Sequence, residues 1–275
     1  MKKVQVVTGG TSGMGLCTAI ELGKYGPVIV GGRSQKRIDD ALATLKDAGV
    51  EAYGHPCDIS DLESLASFAQ AAQELGQINN VVNAAGVDFD TSTHEAMVRI
   101  NMGGTINVVN TFMPLMKEGC LVNYSSITGY FYRPFEEEIA IWNEPDAPDF
   151  LEKALEQVLK HPNPQAGMLI DEYVTYCGTK AFTIHYSKAN TVRFGSRGLR
   201  IFSVAPGSFM TPMLQGQATD IDRIAAGTAF KRVGRPEEMA KMIAALVDPE
   251  LEYLTGCDVI MDGGKSAMAL VKQLA

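Results

Sequence analysis

Val4-Gln5-Val6-Val7-Thr8-Gly9-Gly10-Thr11-Ser12-Gly13-Met14-Gly15 decides the fold. A short β-branched run leads into a glycine-rich turn, and the stretch from Gly15 to Lys24 then has helical spacing. A strand that feeds a helix in this way leaves the first N–H groups and the positive end of the helix dipole free, a ready place for a pyrophosphate. Glycine is required where backbone must approach phosphate closely. The spacing is not G-x-G-x-x-G, so the turn taken alone also fits any tight strand-to-helix connection.

Outward from this turn the same rhythm continues. Val28-Ile29-Val30 reads as a strand, Gln35 to Ala48 and Ser60 to Leu75 as helices, Val81-Val82 as a strand, and a long helix lies within His94 to Met116 before the strand Leu121-Val122-Asn123. Beyond the middle come a helix from Tyr176 to Phe194, a strand from Ile201 to Val204, a helix from Pro236 to Leu246 and a last strand from Asp258 to Met261. The alternation predicts βαβ units, hence an α/β fold with a Rossmann-like, doubly wound parallel sheet in a single domain spanning 1–275.

One segment, 130–172, breaks the pattern: it is acidic, aromatic and proline-bearing. Asp149 with Glu152 reads as a helix cap, Leu151, Ala154, Leu155, Val158 and Leu159 as one apolar stripe, and Pro162 as the stop. A long insertion in a compact domain is usually a lid or binding loop.

Charge and composition restrict the partners. With 24 basic against 32 acidic residues the net charge is -8 and the pI about 5.1, which argues against nucleic acid or an anionic membrane. Cys17, Cys57, Cys120, Cys177 and Cys257 contain no C-x-x-C pair, and His55, His94, His161 and His185 have no metal-ligand spacing, so no metal site is expected. No apolar run approaches the roughly 20 residues that span a bilayer. A small-molecule partner and a cytoplasmic location are the expectations, with Glu136-Glu137-Glu138 as a solvated face.

Tyr176-Cys177-Gly178-Thr179-Lys180 places a phenol and an ammonium four residues apart, on one face of a helix. A neighbouring cation favours the phenolate, so the pair is expected to draw the tyrosine pKa down from about 10. Such a phenol can give a proton to a carbonyl oxygen or take one from an alcohol.

Together these segments resemble the short-chain dehydrogenase/reductase family, over nearly the whole chain. Thr8 to Gly15 matches its T-G-x-x-x-G-x-G turn, Cys57-Asp58-Ile59 the segment after its third strand whose acid hydrogen-bonds the adenine, and Asn83-Ala84-Ala85-Gly86 its N-N/A-A-G turn. Asn123-Tyr124-Ser125-Ser126-Ile127-Thr128-Gly129 matches its S-S-x-x-G segment; Pro206-Gly207 with Thr211-Pro212-Met213 and the closing run Val259 to Gly264 complete the pattern. The resemblance implies catalytic roles for Asn101, Ser126, Tyr176 and Lys180, with Ser125 a structural neighbour. It implies cofactor contacts at Gly9, Thr11, Ser12, Gly13, Met14, Gly15, Arg33, Ser34, Asp58, Ile59, Asn83, Ala84, Ala85 and Gly86, and at Tyr176, Lys180, Pro206, Gly207, Phe209 and Thr211. In Gly31-Gly32-Arg33-Ser34 no acid is present for a ribose 2′-OH and Arg33 can hold a 2′-phosphate, so NADP(H) is preferred and NAD(H) remains open.

The insertion separates Ser126 from Tyr176 and is similar to an arrangement in some bacterial hydroxysteroid dehydrogenases of this family. Phe131, Tyr132, Phe135, Ile139, Ile141, Trp142, Met168 and Leu169, with Phe209, Met210, Met213 and Leu214, could cover an apolar pocket, or form a satellite core or subunit contact. The expectation is an NAD(P)-dependent oxidoreductase interconverting a secondary alcohol and a ketone, with a hydroxysteroid or bile-acid hydroxyl as substrate. A 3-oxoacyl-thioester or small carbonyl reductase is the alternative, and a nicotinamide-sensing regulator the non-enzyme one. A homo-oligomer, dimer or tetramer, is expected from the resemblance.

Overall fold

The computed structural model describes residues 1–162, 170–216 and 220–274. Its first half comprises β1 (Lys3–Thr8), α1 (Gly13–Leu22), β2 (Val28–Gly32), α2 (Gln35–Asp47), β3 (Ala52–Pro56), α3 (Leu62–Leu75) and β4 (Gln77–Asn83). Then follow α4 (His94–Met97), a π-helical turn (Val98–Gly103), α5 (Gly104–Phe112), β5 (Cys120–Tyr124), α6 (Glu136–Trp142), α7 (Phe150–Lys160), α8 (Asp171–Ala189) and α9 (Thr191–Gly195). The chain closes with β6 (Arg200–Pro206), α10 (Pro212–Gly216), α11 (Ile221–Ala226), α12 (Pro236–Leu246), β7 (Asp258–Met261) and α13 (Lys265–Leu274).

All seven strands are parallel, in the order β3-β2-β1-β4-β5-β6-β7. The order reverses between β1 and β4, where Thr8 pairs with Asn83, and a ligand crevice belongs outside the carboxyl ends of the strands at such a point. Helices cover both sheet faces, so β1, β2, β5 and β6 are buried along nearly their whole length, whereas the edge strands β3 and β7 stay partly exposed. Val4, Val6, Ile29, Leu65, Phe68 and Phe182 belong to the core of one face; Val7, Val28, Val30, Phe202 and Ile243 belong to that of the other. Side-chain caps start the helices where the sequence provides them: Asp61 accepts from the N–H groups of Glu63 and Ser64 at 2.9 and 3.2 Å.

Several expectations need correction. The long helix within His94 to Met116 is interrupted by the π-helical turn, and the one from Tyr176 to Phe194 is broken at Asn190. α13 follows the last strand and was not anticipated. Within 130–172, Asp149 pairs with Lys153 at 2.8 Å and makes no side-chain cap. The buried stripe of α7 is Phe150, Ala154 and Val158, four residues apart, which leaves Leu151 37% and Leu159 53% exposed. Glu138 is no solvated residue: it is 1% exposed, accepts the Phe135 N–H at 2.8 Å and takes the Tyr132 hydroxyl.

Candidate active site

The turn after β5 and the middle of α8 are locked together by backbone contacts. Ser125 Oγ donates to the Lys180 carbonyl at 2.9 Å, the structural part expected of it. A Cβ built on Gly129 would lie 2.9 Å from the Ala181 nitrogen, so only glycine lets the turn lie this close to α8. That contact brings Ser126 beside Tyr176, near enough for its hydroxyl to favour the phenolate. One α8 turn on, Lys180 Nζ donates to the Tyr124 carbonyl at 3.1 Å and stands 5.5 Å from the Tyr176 ring centroid.

Asn101 sits in the π-helical turn, a departure from helix geometry that often marks functional sites. Its Oδ1 accepts from the Val87 N–H at 2.9 Å, and its Nδ2 donates to the Val87 carbonyl at 3.1 Å and to Thr179 Oγ1 at 3.2 Å. It therefore ties the strand loop after β4 to α8, directly beside Lys180. The four residues expected to be catalytic are brought together at one place.

Burial moves the two titrating groups in opposite directions. It pushes the Tyr176 phenol well above its ordinary range, partly offset by the Ser126 hydroxyl and reinforced by Cys177 and by Asp88. The expected downward shift from the lysine is thus overridden by desolvation in the chain by itself. Burial pulls Lys180 down from 10.5 to about 8. Asp88, 7% exposed, uses its Oδ1 to accept from the Thr91 N–H at 3.0 Å and hydroxyl at 2.7 Å.

The β1–α1 turn fits a dinucleotide. Ser12 makes no side-chain cap and the first turn of α1 has no acid, so its N–H groups face outward uncapped. Gly9 has φ 65°, and a Cβ there would meet the Ala85 nitrogen at 2.6 Å; a Cβ on Gly15 would meet the Gly9 carbonyl oxygen at 2.3 Å. Thr11 packs on Gly32, and Gly13 faces Thr211. At the end of β2, Arg33 is exposed and Ser34 caps α2, accepting from the Arg37 N–H at 3.4 Å. Burial would raise Asp58, but hydrogen bonds from the Ser60 hydroxyl and N–H, with Arg33 and Arg99 nearby, hold it below its usual value. Ile59 is core and packs under Gly104. The Asn83 side chain is consumed within the sheet, accepting from Thr8 Oγ1 at 2.8 Å and donating to Asn123 Oδ1 at 3.2 Å.

A cleft of about 910 Å³ opens over these groups. Met14, Ala84, Gly86, Ser126, Tyr176, Lys180, Pro206, Gly207, Phe209 and Thr211 line it. Sequence reasoning missed Phe89, whose ring packs against Tyr173 and Tyr176 at 5.1 and 5.5 Å between centroids. An apolar residue in a loop just past a strand end was its only signal. Among the described residues of 130–172, none lines the cleft. Tyr132 and Trp142 instead stack on each other, Trp142 meets Phe182 edge-on, and both join the main core on that face of the sheet rather than covering the cleft or forming a separate satellite core. Met168 and Leu169 lie outside the described residues. Among those described, no group of His, Cys, Asp and Glu could hold a metal ion, and no helix is long and apolar enough to cross a membrane.

Residues 3–137 match the short chain dehydrogenase model, and residues 164–266 match the enoyl-(acyl carrier protein) reductase model. The chain belongs to the short-chain dehydrogenase/reductase family. This short-chain dehydrogenase/reductase is 29% identical to short-chain dehydrogenase/reductase bsc3 of Alternaria brassicicola over 97% of each chain. It is 27% identical to cis-4-hydroxycyclohexanecarboxylate dehydrogenase of Sinomonas cyclohexanicum, over 97% of this chain and 98% of the other. The crystal structure of an actinorhodin polyketide ketoreductase variant with NADPH superposes with a TM-score of 0.74 at 25% identity, covering 96% of this chain and 97% of that one. It is an oxidoreductase by family, and its relatives act on diverse substrates.

Proposed function

We propose that this protein interconverts a secondary alcohol and a ketone on a bulky, apolar ring substrate, with NADP(H) as the preferred cofactor and NAD(H) possible. The observation that carries this is the convergence of Ser126, Tyr176 and Lys180 on the lining of the 910 Å³ cleft, with buried Asn101 behind them on Val87 and Thr179, next to a turn fitted for a dinucleotide. The Gly9–Gly15 turn, Ala84 to Gly86, Pro206, Gly207, Phe209 and Thr211 would hold the cofactor, with Asp58 and Ile59 toward its adenine and Arg33 and Ser34 toward a 2′-phosphate. The preference for NADP(H) is supported by Arg33 and by the NADPH bound to the superposing ketoreductase. The nicotinamide supplies or accepts the hydride.

The chain's own residues supply the rest. The raised Tyr176 phenol is held protonated at neutral pH, which suits giving its proton to a carbonyl oxygen during reduction. The Ser126 hydroxyl is placed to hydrogen-bond the same oxygen. Lys180, charged below about pH 8, stabilises negative charge developing there and on the phenol as it loses its proton. Asn101 fixes the position of Val87 and Thr179 around them.

The apolar lining by Met14, Val87, Phe89, Tyr173, Met213, Leu214 and Ile224 supports a ring substrate. Hydroxysteroids and bile acids belong to this class, but their support comes from these walls and not from the insertion. Exposed apolar residues on α7, Leu151 and Leu159, support the homo-oligomer, which light scattering reads directly. The test of function follows reduced-nicotinamide absorbance with NADPH and NADH against cyclic ketones, keto-steroids, acyl thioesters and small sugars, with Tyr176→Phe as control. Turnover of cyclic ketones that vanishes in the control is expected; cofactor binding with no turnover of any carbonyl overturns the reading in favour of a sensor.

A further inference from the structure

We propose that the cleft selects an anionic substrate, its ring on the apolar wall and its negative group met by Arg223 and Lys265; this rests on the carbonyl-reducing reading above. The chain is acidic overall, yet besides the catalytic Lys180 the charged residues lining the cleft are Arg223, Lys265 and Asp220. Asp220 is occupied: it caps α11 by accepting from the Arg223 N–H at 3.0 Å. Asp262, on the segment that carries Lys265, is occupied in the same way by the N–H groups of Gly264 and Ser266 at 2.9 and 2.7 Å. Among the described residues neither the Arg223 guanidinium nor the Lys265 ammonium has a hydrogen-bond or ion-pair partner.

The two cations come from separate segments that the fold holds side by side. Ala229 N–H, just past α11, donates to the Gly263 carbonyl at 2.8 Å, and Thr228 and Phe230 lie against Gly263. Two cations without partners among the described residues, apolar side chains and the Tyr176 hydroxyl on the lining of one cleft describe a ligand with two ends. One end is a ketone or alcohol; the other is an anion that a guanidinium can take in bidentate fashion. That anion can be a carboxylate on the ring itself or the phosphate of a thioester carrier.

The test compares NADPH-dependent reduction of 4-oxocyclohexanecarboxylate with that of its methyl ester, in the wild type and in Arg223→Gln, Lys265→Gln and the double variant. The acid is expected to exceed the ester in kcat/KM by about tenfold, and the double variant to erase most of that ratio without raising KM for NADPH. A second arm compares acetoacetyl-coenzyme A with acetoacetyl-N-acetylcysteamine. A ratio that depends on the two cations in this arm alone assigns the anion to a carrier phosphate. Equal use of charged and neutral partners in both arms, or variants that act only through KM for NADPH, overturns the proposal. If no ketone turns over, binding of cyclohexanecarboxylate to the NADPH-loaded protein, read by nicotinamide fluorescence, separates the two ideas. Binding lost in the double variant keeps the anion site and sinks carbonyl reduction, whereas absence of binding sinks the anion site.

Discussion

The two walls of the cleft are built by opposite means. On one side the turn after β5, the loop after β4 and α8 are cross-linked by Ser125 to the Lys180 carbonyl, Lys180 to the Tyr124 carbonyl, and Asn101 to Val87 and Thr179. On the other side Met213 and Arg223 stand exposed on the short helices α10 and α11. In the proposed reaction, chemistry that requires fixed geometry falls to the buried, mutually hydrogen-bonded wall, while the exposed wall, which can change without disturbing the core, would meet the substrate.

The most severe test of the rigid wall is Tyr176→Phe. Loss of the proton donor is expected to lower kcat by about 10²–10⁴-fold while NADPH still binds, measured by turnover and by nicotinamide fluorescence titration. A variant retaining a tenth of the activity would move the proton donor elsewhere. Asn101→Ala comes next. It leaves the Val87 N–H and carbonyl without their partner, so the unfolding free energy in urea is expected to fall by about 1–3 kcal/mol and kcat to fall with it. Met213→Ala on the opposite wall is expected to change substrate KM without that loss of stability. Equal destabilisation by both would erase the contrast between the walls.

Much of the rigid wall was legible in the sequence because its determinants are local. A glycine turn, a β-branched run and a Y-x-x-x-K spacing each encode their own geometry, and six of the seven strands lie within a few residues of the β-branched runs, whereas β3, Ala52-Tyr53-Gly54-His55-Pro56, carries no such run. What escaped depends on contacts between distant segments. The π-helical turn at Asn101 leaves no mark on a 3.6-residue period, and Phe89 becomes a site residue only because α8 presents Tyr173 and Tyr176 to it. Glu138 looked solvated because three consecutive acids usually are; Tyr132, six residues away in the chain, provides its buried partner. The tyrosine pKa was misjudged in direction because spacing reveals a neighbouring charge and does not reveal desolvation.

Lys180 gives a smaller, pH-dependent effect. Its folded value of about 8 lies below the ordinary 10.5, so between these values the unfolded chain binds the extra proton and stability rises with pH across that window. A cofactor that needs the charged ammonium should show the reverse trend: its Kd should rise above pH 8 by at most about tenfold per unit, with a proton taken up on binding. Calorimetry in two buffers of different ionisation enthalpy measures that proton. Lys180→Met should flatten the dependence, and an unchanged slope would assign the titration to another group.

The smallest effect is expected in the insertion, and its smallness is the informative part. Phe131 and Phe135 are 50% and 44% exposed, and neither lines the cleft. If Tyr132, Trp142 and Glu138 anchor this segment to the core, Phe131→Ser removes only surface contacts and should shift stability by no more than about 0.5 kcal/mol, while Phe135→Ser also removes a ring stack on His161 and should cost about 0.5–1.5 kcal/mol. Substrate KM should then stay within about twofold for cyclic ketones of every size. A KM that rises many-fold for steroids and not for small rings would mean that the insertion reaches over the cleft when a large ligand is bound. The exposed wall would then extend from α10 and α11 across to the segment that joins Ser126 to Tyr176, and the division between a fixed catalytic side and a variable recognition side would no longer follow the two edges of the cleft.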